Sequence, residues 1–263
     1  MRILVLGLDS PVGYSLKAFS GPLMRHEIVG VSMQKTQWRS ERQVKKLIRN
    51  SGPDLVLDAR LVTQIDGINS IGTPDIERTA WLARLVNREA AAYLLLSSAR
   101  VFTGKLTRPY RETDQPDAFD SIGKILIEAE HLLKSNLKRI FILRLGLMFG
   151  GRRPNPLAHT LDAFSRGEIV KVSENIRGSP VHVAEVARVV HGIIDQMGAG
   201  APTNGLYHYS GIGETSPYAF MESVLSCASQ YKPFADARDL LALLPLESQD
   251  NLCFSLDGEA LRH

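Results

Sequence analysis

The first 145 residues alternate short strand-like runs with stretches of helical periodicity. Each run is short and mostly apolar, as strands of a buried parallel sheet are. The predicted strands are Ile3–Leu6, Glu27–Ser32, Asp54–Asp58, Ala92–Ser97 and Ile140–Arg144. Because strands joined by helical crossovers run parallel, the pattern predicts an α/β fold with a doubly wound parallel sheet.

Helical periodicity fills the gaps between these runs and continues beyond them. A helix with Val44, Leu47 and Ile48 on one face follows Ser40 and Gln43, which have capping-box spacing. The other predicted helices begin at Thr73 and Ser216 or span Ser121–Leu133 and Val183–Met197. The regular strand–helix alternation ends at Gly150. We therefore expect a sheet domain over residues 1–150 and a smaller lobe over residues 151–263, with about 168–197 returning to the first domain.

A loop of small residues joins the first predicted strand to its helix. Gly7, Ser10 and Gly13 have the spacing of a G-x-x-G-x-x-G loop in which serine replaces the middle glycine. Such a loop presents backbone N–H groups and the positive end of the helix dipole to a pyrophosphate. A plain strand-to-helix turn has the same pattern, so the loop alone leaves dinucleotide binding open. The candidate contacts are Gly7, Asp9, Ser10, Pro11, Val12 and Gly13.

The end of the second predicted strand bears on the choice of dinucleotide. An acid there would bind the ribose hydroxyls of NAD, but the strand ends in Ser32. Without a carboxylate, nothing repels the 2′-phosphate of NADP, and Lys35 or Arg39 would pair with it. A solvated surface charge is an equally good interpretation of Lys35. These residues favour NADP, with NAD as the alternative.

Composition excludes several other classes of protein. The net charge of +3 comes from 31 basic and 28 acidic residues and gives no reason to expect a nucleic-acid partner. Cys227 and Cys253 are too few for a disulfide framework and lack metal-ligand spacing. Cys227 follows Phe220 and Val224 at helical spacing, so we expect it to be buried. No apolar run has the roughly 18 residues of a membrane span. A soluble cytoplasmic protein without a metal site is expected.

Several short motifs occur in the order and at the spacing of one known family. They are PDLVLDAR (53–60), SSARVFTG (97–104), PYRE (109–112), GSP (178–180) and GLYHYSG (205–211). Together they resemble the dTDP-4-dehydrorhamnose reductase family, an extended short-chain dehydrogenase group. That group also includes the regulatory β subunit of methionine adenosyltransferase.

The resemblance implies a Rossmann-type NAD(P) site in the first domain and a sugar-nucleotide site in the smaller lobe. The cofactor contacts expected in addition to those of the glycine loop are Ser32, Lys35, Ala59, Arg60, Ser97 and Lys124. The expected substrate contacts are Arg100, Arg152 and Arg177.

The family's reductase chemistry depends on a Tyr-x-x-x-Lys motif at the start of the long helix and on a hydroxyl at the end of the fourth strand. Lys124 and Ser98 match these positions, but Asp120 stands at the tyrosine position. Reducing a ketone with hydride requires a proton donor beside the developing alkoxide. Tyrosine, with a reference pKa of about 10, can donate at neutral pH, whereas an aspartic acid side chain, with a reference pKa of about 3.9, is already an anion. The expected catalytic set of Ser98, Asp120 and Lys124 therefore lacks its acid.

Two further roles are open to Asp120. It precedes Ser121 at the start of a helix, where aspartate is a good N-cap. Strong burial could instead keep it protonated and restore an acid, although Lys124 one turn away argues against this. Tyr110 is a candidate substitute donor, but the family has a tyrosine there and uses another one for chemistry.

Arg100 replaces another tyrosine of the family, one at the floor of the site. A fixed positive charge there would hold an anion such as a phosphate or a carboxylate. Alternatively, Arg100 turns outward and pairs with Glu112 or Asp114. His208 has no partner at metal-ligand spacing, so packing is its expected role.

These observations favour a dinucleotide-binding protein that has lost standard reductase chemistry. It would bind NADP(H), or a small nucleotide ligand in its place, and act through that bound state or through a protein partner. The alternative is an active NAD(P)H-dependent reductase of a nucleotide-linked 4-keto-sugar with a displaced proton donor. A third hypothesis, a structural module without a cofactor, is kept open by Ser10 and Ser32. The sequence leaves the ligand and the oligomeric state open.

Overall fold

The computed structural model describes residues 1–19, 26–65, 71–151, 155–201, 204–244, 251–258 and 261. The helices are α1 (Pro11–Phe19), α2 (Glu41–Ser51), α3 (Arg60–Ile65), α4 (Thr73–Arg88), α5 (Ser121–Asn136), α6 (Pro156–Ser165), α7 (Val183–Gly198) and α8 (Pro217–Ala228). The strands are β1 (Arg2–Leu6), β2 (Glu27–Val31), β3 (Leu55–Asp58), β4 (Ala92–Ser98), β5 (Ile140–Leu145), β6 (Met148–Phe149), β7 (Val170–Val172), β8 (Ile176–Arg177), β9 (Val181–His182), β10 (Gly205–Tyr209), β11 (Leu241–Leu243) and β12 (Leu252–Cys253).

Six parallel strands form the central sheet in the order β2-β1-β3-β4-β5-β10. β2 lies on one side of β1, and the chain then crosses back to place β3 on the other side of β1. Ligands of open α/β sheets bind at such a reversal, beyond the carboxyl ends of the strands. The predicted doubly wound α/β fold is confirmed.

Helices cover both faces of the sheet. On one face α2, α4 and α5 bury Val44, Leu82 and Leu126 against the strands, and on the other α1 and α7 bury Leu16 and Val190. The strand β1 lies between these layers, and its four apolar residues are fully buried. Burial on both faces is the reason that this strand is a continuous apolar run instead of an alternating one.

The predicted helices are present, with differences at two of their starts. Ser40 precedes α2, but its side chain makes no capping bond, and Gln43 instead accepts a hydrogen bond from the Arg39 N–H at 2.8 Å. Before α4, the Asp75 side chain accepts from the Gly72 N–H at 3.0 Å, so the cap lies one residue earlier than Thr73.

The elements after residue 151 divide between two environments. α7 and β10 join the central sheet and its helices, whereas α6 and α8 pack around a separate small apolar cluster that includes Phe164, Met221 and Leu225. The short strands β7, β8 and β9 pair with β11, β12 and β6 respectively. The domain boundary at residue 150 stays a prediction. The expected burial of Cys227 on α8 is wrong, because this thiol lies on the exposed side of the helix, while Cys253 is buried.

Candidate functional site

The glycine loop turns tightly from β1 into α1. Gly7 has φ +88°, a left-handed conformation that glycine adopts without strain. At Gly13 a Cβ would lie 2.3 Å from the Gly7 carbonyl oxygen, so only glycine allows α1 to begin this close to the strand. The loop therefore aims the N-terminus of α1 at the edge of the sheet where the strands end.

Two side chains change which N–H groups this helix end can offer. The Ser10 hydroxyl caps the helix by accepting the Gly13 N–H at 3.0 Å, and Pro11 has no N–H to donate. Within the part of the chain that the structure describes, the Val12 N–H is left without a partner. The predicted phosphate cradle is thus present in shape but has fewer donors than an all-glycine loop.

A carboxylate does lie at the end of β2, although the strand itself carries none there. Asp9, in the glycine loop, accepts the Met33 N–H at 2.7 Å. The strand carries no acid at its end, as predicted, but the inference that no carboxylate lies there is wrong, because it considered only the residues of the strand and missed Asp9. Ser32 begins the turn after β2, accepting the Lys35 N–H through its carbonyl, and the Lys35 side chain is exposed.

The end of β3 is closed by a buried ionic network. Arg60 donates from Nε and Nη2 to the two carboxylate oxygens of Asp58, at 2.9 and 2.8 Å, and Tyr93 donates to the same carboxylate at 2.6 Å. Burial by itself would lower the pKa of Arg60, but the adjoining Asp58 carboxylate raises the pKa above its usual range. Burial and then Asp58 raise the pKa of Tyr93.

This ionic network uses the side chain of Arg60, a predicted cofactor contact. Arg60 is fully buried, and its guanidinium lies 5.5 Å from the centre of the Trp38 ring. If this segment contacts a dinucleotide, it does so through the backbone of Ala59 and Arg60, which lies beside Gly7. Sequence patterns carried no sign of this network, because Asp58 and Tyr93 are 35 residues apart.

A second buried network joins β4, α5, β5 and β10. Glu130 accepts hydrogen bonds from Arg144 at 3.0 and 2.7 Å and from the Ser97 hydroxyl at 2.6 Å. Arg144 also lies 3.4 Å from Nε2 of His208, whose Nδ1 lies 3.0 Å from the Tyr110 carbonyl oxygen. Burial, and then the Arg144 charge, lower the pKa of His208 to about 4.

These contacts assign structural roles to several residues. His208 is neutral at pH 7, donating from Nδ1 and accepting at Nε2, as expected for a packed histidine. Ser97, a predicted cofactor contact, is fully buried and holds Glu130. The sequence carried a signal for this network, since Glu130 and Arg144 are charges inside otherwise apolar helix and strand faces.

The acid position is the N-cap of α5. One carboxylate oxygen of Asp120 accepts the N–H groups of Ile122 and Gly123, both at 2.9 Å. The Arg100 guanidinium lies 3.5 Å from the same oxygen, so the alternative in which Arg100 pairs with Glu112 or Asp114 is wrong. Lys124 follows one turn later with an exposed side chain.

The tyrosine hydroxyls of the protein lie away from the acid position at Asp120. Tyr110 is 2% exposed, stacks on Phe102 with ring centres 4.0 Å apart, and accepts the Leu106 N–H at 3.4 Å. None of the seven tyrosines, all within the described residues, lines the cavity at the carboxyl edge of the sheet.

That cavity has a volume of about 600 Å³ and lies between the end of β4, the segment after β5 and the lobe helices α6 and α8. Ser98 and Arg100 line it from the sheet side, and Arg177 lines it from the lobe side. Asp120 and Lys124 are not among its described lining residues. Arg152, a predicted substrate contact, lies outside the described residues.

The described residues contain no cluster of three or more potential metal ligands. Among the same residues, no helix is long and apolar enough to cross a membrane.

The family model of the RmlD substrate binding domain matches residues 1–250. The chain belongs to this family. Among curated proteins, a dTDP-4-dehydrorhamnose reductase of Aggregatibacter actinomycetemcomitans is 25% identical over 236 residues, which cover 88% of this chain and 80% of the relative. The methionine adenosyltransferase 2 subunit beta of Xenopus laevis is 23% identical over 208 residues, or 74% of this chain and 62% of that protein.

Solved structures of dTDP-4-dehydrorhamnose reductases have the same fold as this chain. The dTDP-4-dehydrorhamnose reductase of Bacillus anthracis, in complex with NADP, matches with a TM-score of 0.77 at 17% identity, over 99% of this chain and 92% of that one. The corresponding enzyme of Clostridium acetobutylicum also gives 0.77, at 19% identity, over 98% and 90% of the two chains. The predicted family resemblance is confirmed.

Proposed function

We propose that this RmlD-family chain binds NADP(H), with NAD(H) as the alternative, and does not use it to reduce a ketone. In this proposal residues 1–150 hold the dinucleotide, residues 151–263 contribute a second ligand site, and the protein acts through its bound state or a protein partner. Binding of NADP by the Bacillus anthracis relative and the presence of a methionine adenosyltransferase subunit among the relatives support these two parts.

The shape of the glycine loop supports a dinucleotide. Gly7 has a left-handed φ and Gly13 leaves no room for a Cβ, and the two glycines bring the start of α1 to the reversal of the sheet. The Val12 N–H and the dipole of α1 would face the pyrophosphate there. Lys35 favours the 2′-phosphate of NADP, while the Asp9 carboxylate opposes it, and this balance keeps NAD(H) as the alternative.

The hydrogen bonds of Asp120 are the main observation in support of a loss of reductase chemistry. One oxygen of the Asp120 side chain accepts two backbone N–H groups and faces an arginine, so this side chain serves as the cap of the helix. When bound, the dinucleotide would supply hydride. The side chain at the acid position is a hydrogen-bond acceptor at the helix start and has no phenol hydroxyl to protonate an alkoxide.

The active-reductase alternative requires another donor at the cavity. Tyr110 is enclosed in the core with its hydroxyl on the Leu106 N–H, and no tyrosine lines the cavity within the described residues. Ser98 has a hydroxyl there, but a serine hydroxyl is a far weaker acid than a phenol. These contacts favour binding without turnover.

Quenching of tryptophan fluorescence tests the binding step, because Trp38 lies beside Arg60 at the expected adenosine end. We expect saturable quenching by NADPH and weaker quenching by NADH. The Gly13→Ala variant should lose this binding, since its Cβ would meet the Gly7 carbonyl, whereas Gly192→Ala in α7, where a Cβ meets nothing within 4 Å, should keep it. Equal NADPH binding by the two variants would argue against a dinucleotide in the loop.

A further inference from the structure

The walls of the 600 Å³ cavity are strongly apolar. The side chains that form most of them are Leu147, Phe149, Leu157, Phe220, Met221 and Phe254. Phe149 and Phe220 meet edge to face with ring centres 5.0 Å apart, so they form one aromatic wall. Among the described lining residues there is no carboxylate, carboxamide or imidazole.

Each of the four hydroxyl side chains among the described lining residues makes one hydrogen bond within the chain. Ser98 accepts the Arg100 N–H at 3.3 Å, and Ser216 accepts the Ala219 N–H as the cap of α8 at 3.1 Å. The remaining two donate to backbone carbonyls: Thr160 to Pro156 at 3.1 Å and Thr215 to Ser216 at 3.3 Å. With so few polar side chains, the described walls would replace only part of the hydrogen bonds that the hydroxyls of a sugar make in water.

Arg100 and Arg177 are the charged side chains among the described lining residues of the cavity. Arg100 is held by Asp120 only at 3.5 Å, and both side chains are close to half exposed, so this pair is weak and the two charges offset each other. Arg177, on β8, has no ion-pair partner among the residues that the structure describes. The described part of the cavity lining therefore combines apolar walls with about one uncompensated positive charge.

We infer that this cavity binds an apolar monoanion, a carboxylate or its equivalent on an aromatic or aliphatic body, with Arg177 as the principal partner of the charge, instead of a nucleotide-linked sugar. The inference rests on the proposed function, because the dinucleotide and this ligand share the cleft at Ser98. Burial of an apolar ligand against these walls gains hydrophobic free energy, and the arginine fixes the orientation of that ligand.

Displacement of a fluorescent probe tests this. Anilinonaphthalene sulfonate is an apolar aromatic monoanion, and we expect it to bind saturably to the folded protein and to be displaced by decanoate. Decanol, of the same chain length but neutral, should compete about tenfold less well. Arg177→Met should weaken decanoate about tenfold and leave decanol unchanged. Arg166→Met should change neither, because Arg166 pairs with Glu168 outside the cavity.

Three results would overturn the inference: displacement by thymidine diphosphate at lower concentration than by decanoate, equal competition by decanol and decanoate, or no effect of Arg177→Met. NADPH binding is followed separately by tryptophan quenching. Tryptophan quenching by NADPH without decanoate binding refutes this inference and leaves the proposed function in place. Decanoate binding without tryptophan quenching by NADPH refutes the proposed dinucleotide binding and leaves the cavity ligand in place.

Discussion

Replacing Asp120 with alanine separates a capping role from a chemical one. The substitution removes the acceptor of two N–H groups at the start of α5, a helix of 16 residues. Loss of an N-cap costs about 1 kcal/mol, within a range of roughly 0.5–2, and the negative charge at the helix N-terminus adds a few tenths more. The half-exposed pair with Arg100 adds little.

We therefore expect Asp120→Ala to lower the free energy of unfolding by about 1–2 kcal/mol. For a chain of this size each kcal/mol corresponds to roughly 2–4 °C in Tm. Urea denaturation followed by circular dichroism measures the change. Asp120→Ser, which keeps a capping oxygen without the charge, should retain most of the stability. Glu128→Ala, further along the same helix, is the matched control and should change stability little.

An Asp120→Ala variant as stable as the wild type would refute the capping argument. So would an Asp120→Ser variant as unstable as the alanine variant, because stability would then depend on the charge and not on the hydrogen-bond acceptor.

Three further predictions follow from other contacts. Arg144→Met leaves Glu130 buried without its cation and should cost about 3–5 kcal/mol in chemical denaturation, and adding Glu130→Gln should recover part of that loss. Since the pKa of His208 is lowered from 6.5 to about 4, the unfolded chain binds the extra proton between those values. The free energy of unfolding should then fall by roughly 3 kcal/mol on acidification through that range, and His208→Gln should remove this contribution from a pH series of denaturation curves. Pro11→Ala restores an N–H to the first turn of α1 and should tighten NADPH binding by about tenfold or more in the quenching titration, since a hydrogen bond to a charged group is worth about 1.5–3 kcal/mol. Weaker binding would contradict the proposed position of the pyrophosphate at this helix start.

Local patterns predicted the sheet and the N-cap well. The apolar runs became β1 and β3–β5, and the aspartate before Ser121 became the cap of α5, since both depend on residues close in sequence. The helix predicted over Val183–Met197 became α7, and apolar residues at helical spacing along it, Val186, Val190, Ile193 and Met197, are buried.

Contacts between distant segments could not be predicted from those patterns. The partner of Arg100 is Asp120, 20 residues away, because the chain between them loops back to start α5. Helical spacing placed Cys227 on an apolar face, but α8 packs on the lobe through Met221 and Leu225, which leaves that thiol outside. Asp9 reaches the end of β2 only because the sheet pairs β1 with β2.

Rapid mixing of the protein with NADPH and a candidate ketone tests most directly whether this pocket can protonate an alkoxide. The ketones would be a dTDP-linked 4-keto-hexose and an apolar keto acid, so that either kind of cavity ligand is represented. We expect tryptophan quenching that reports bound NADPH, with no loss of the NADPH absorbance over times in which a dTDP-4-dehydrorhamnose reductase completes turnover. Oxidation of NADPH in step with alcohol formation, retained in Asp120→Asn, would contradict the account.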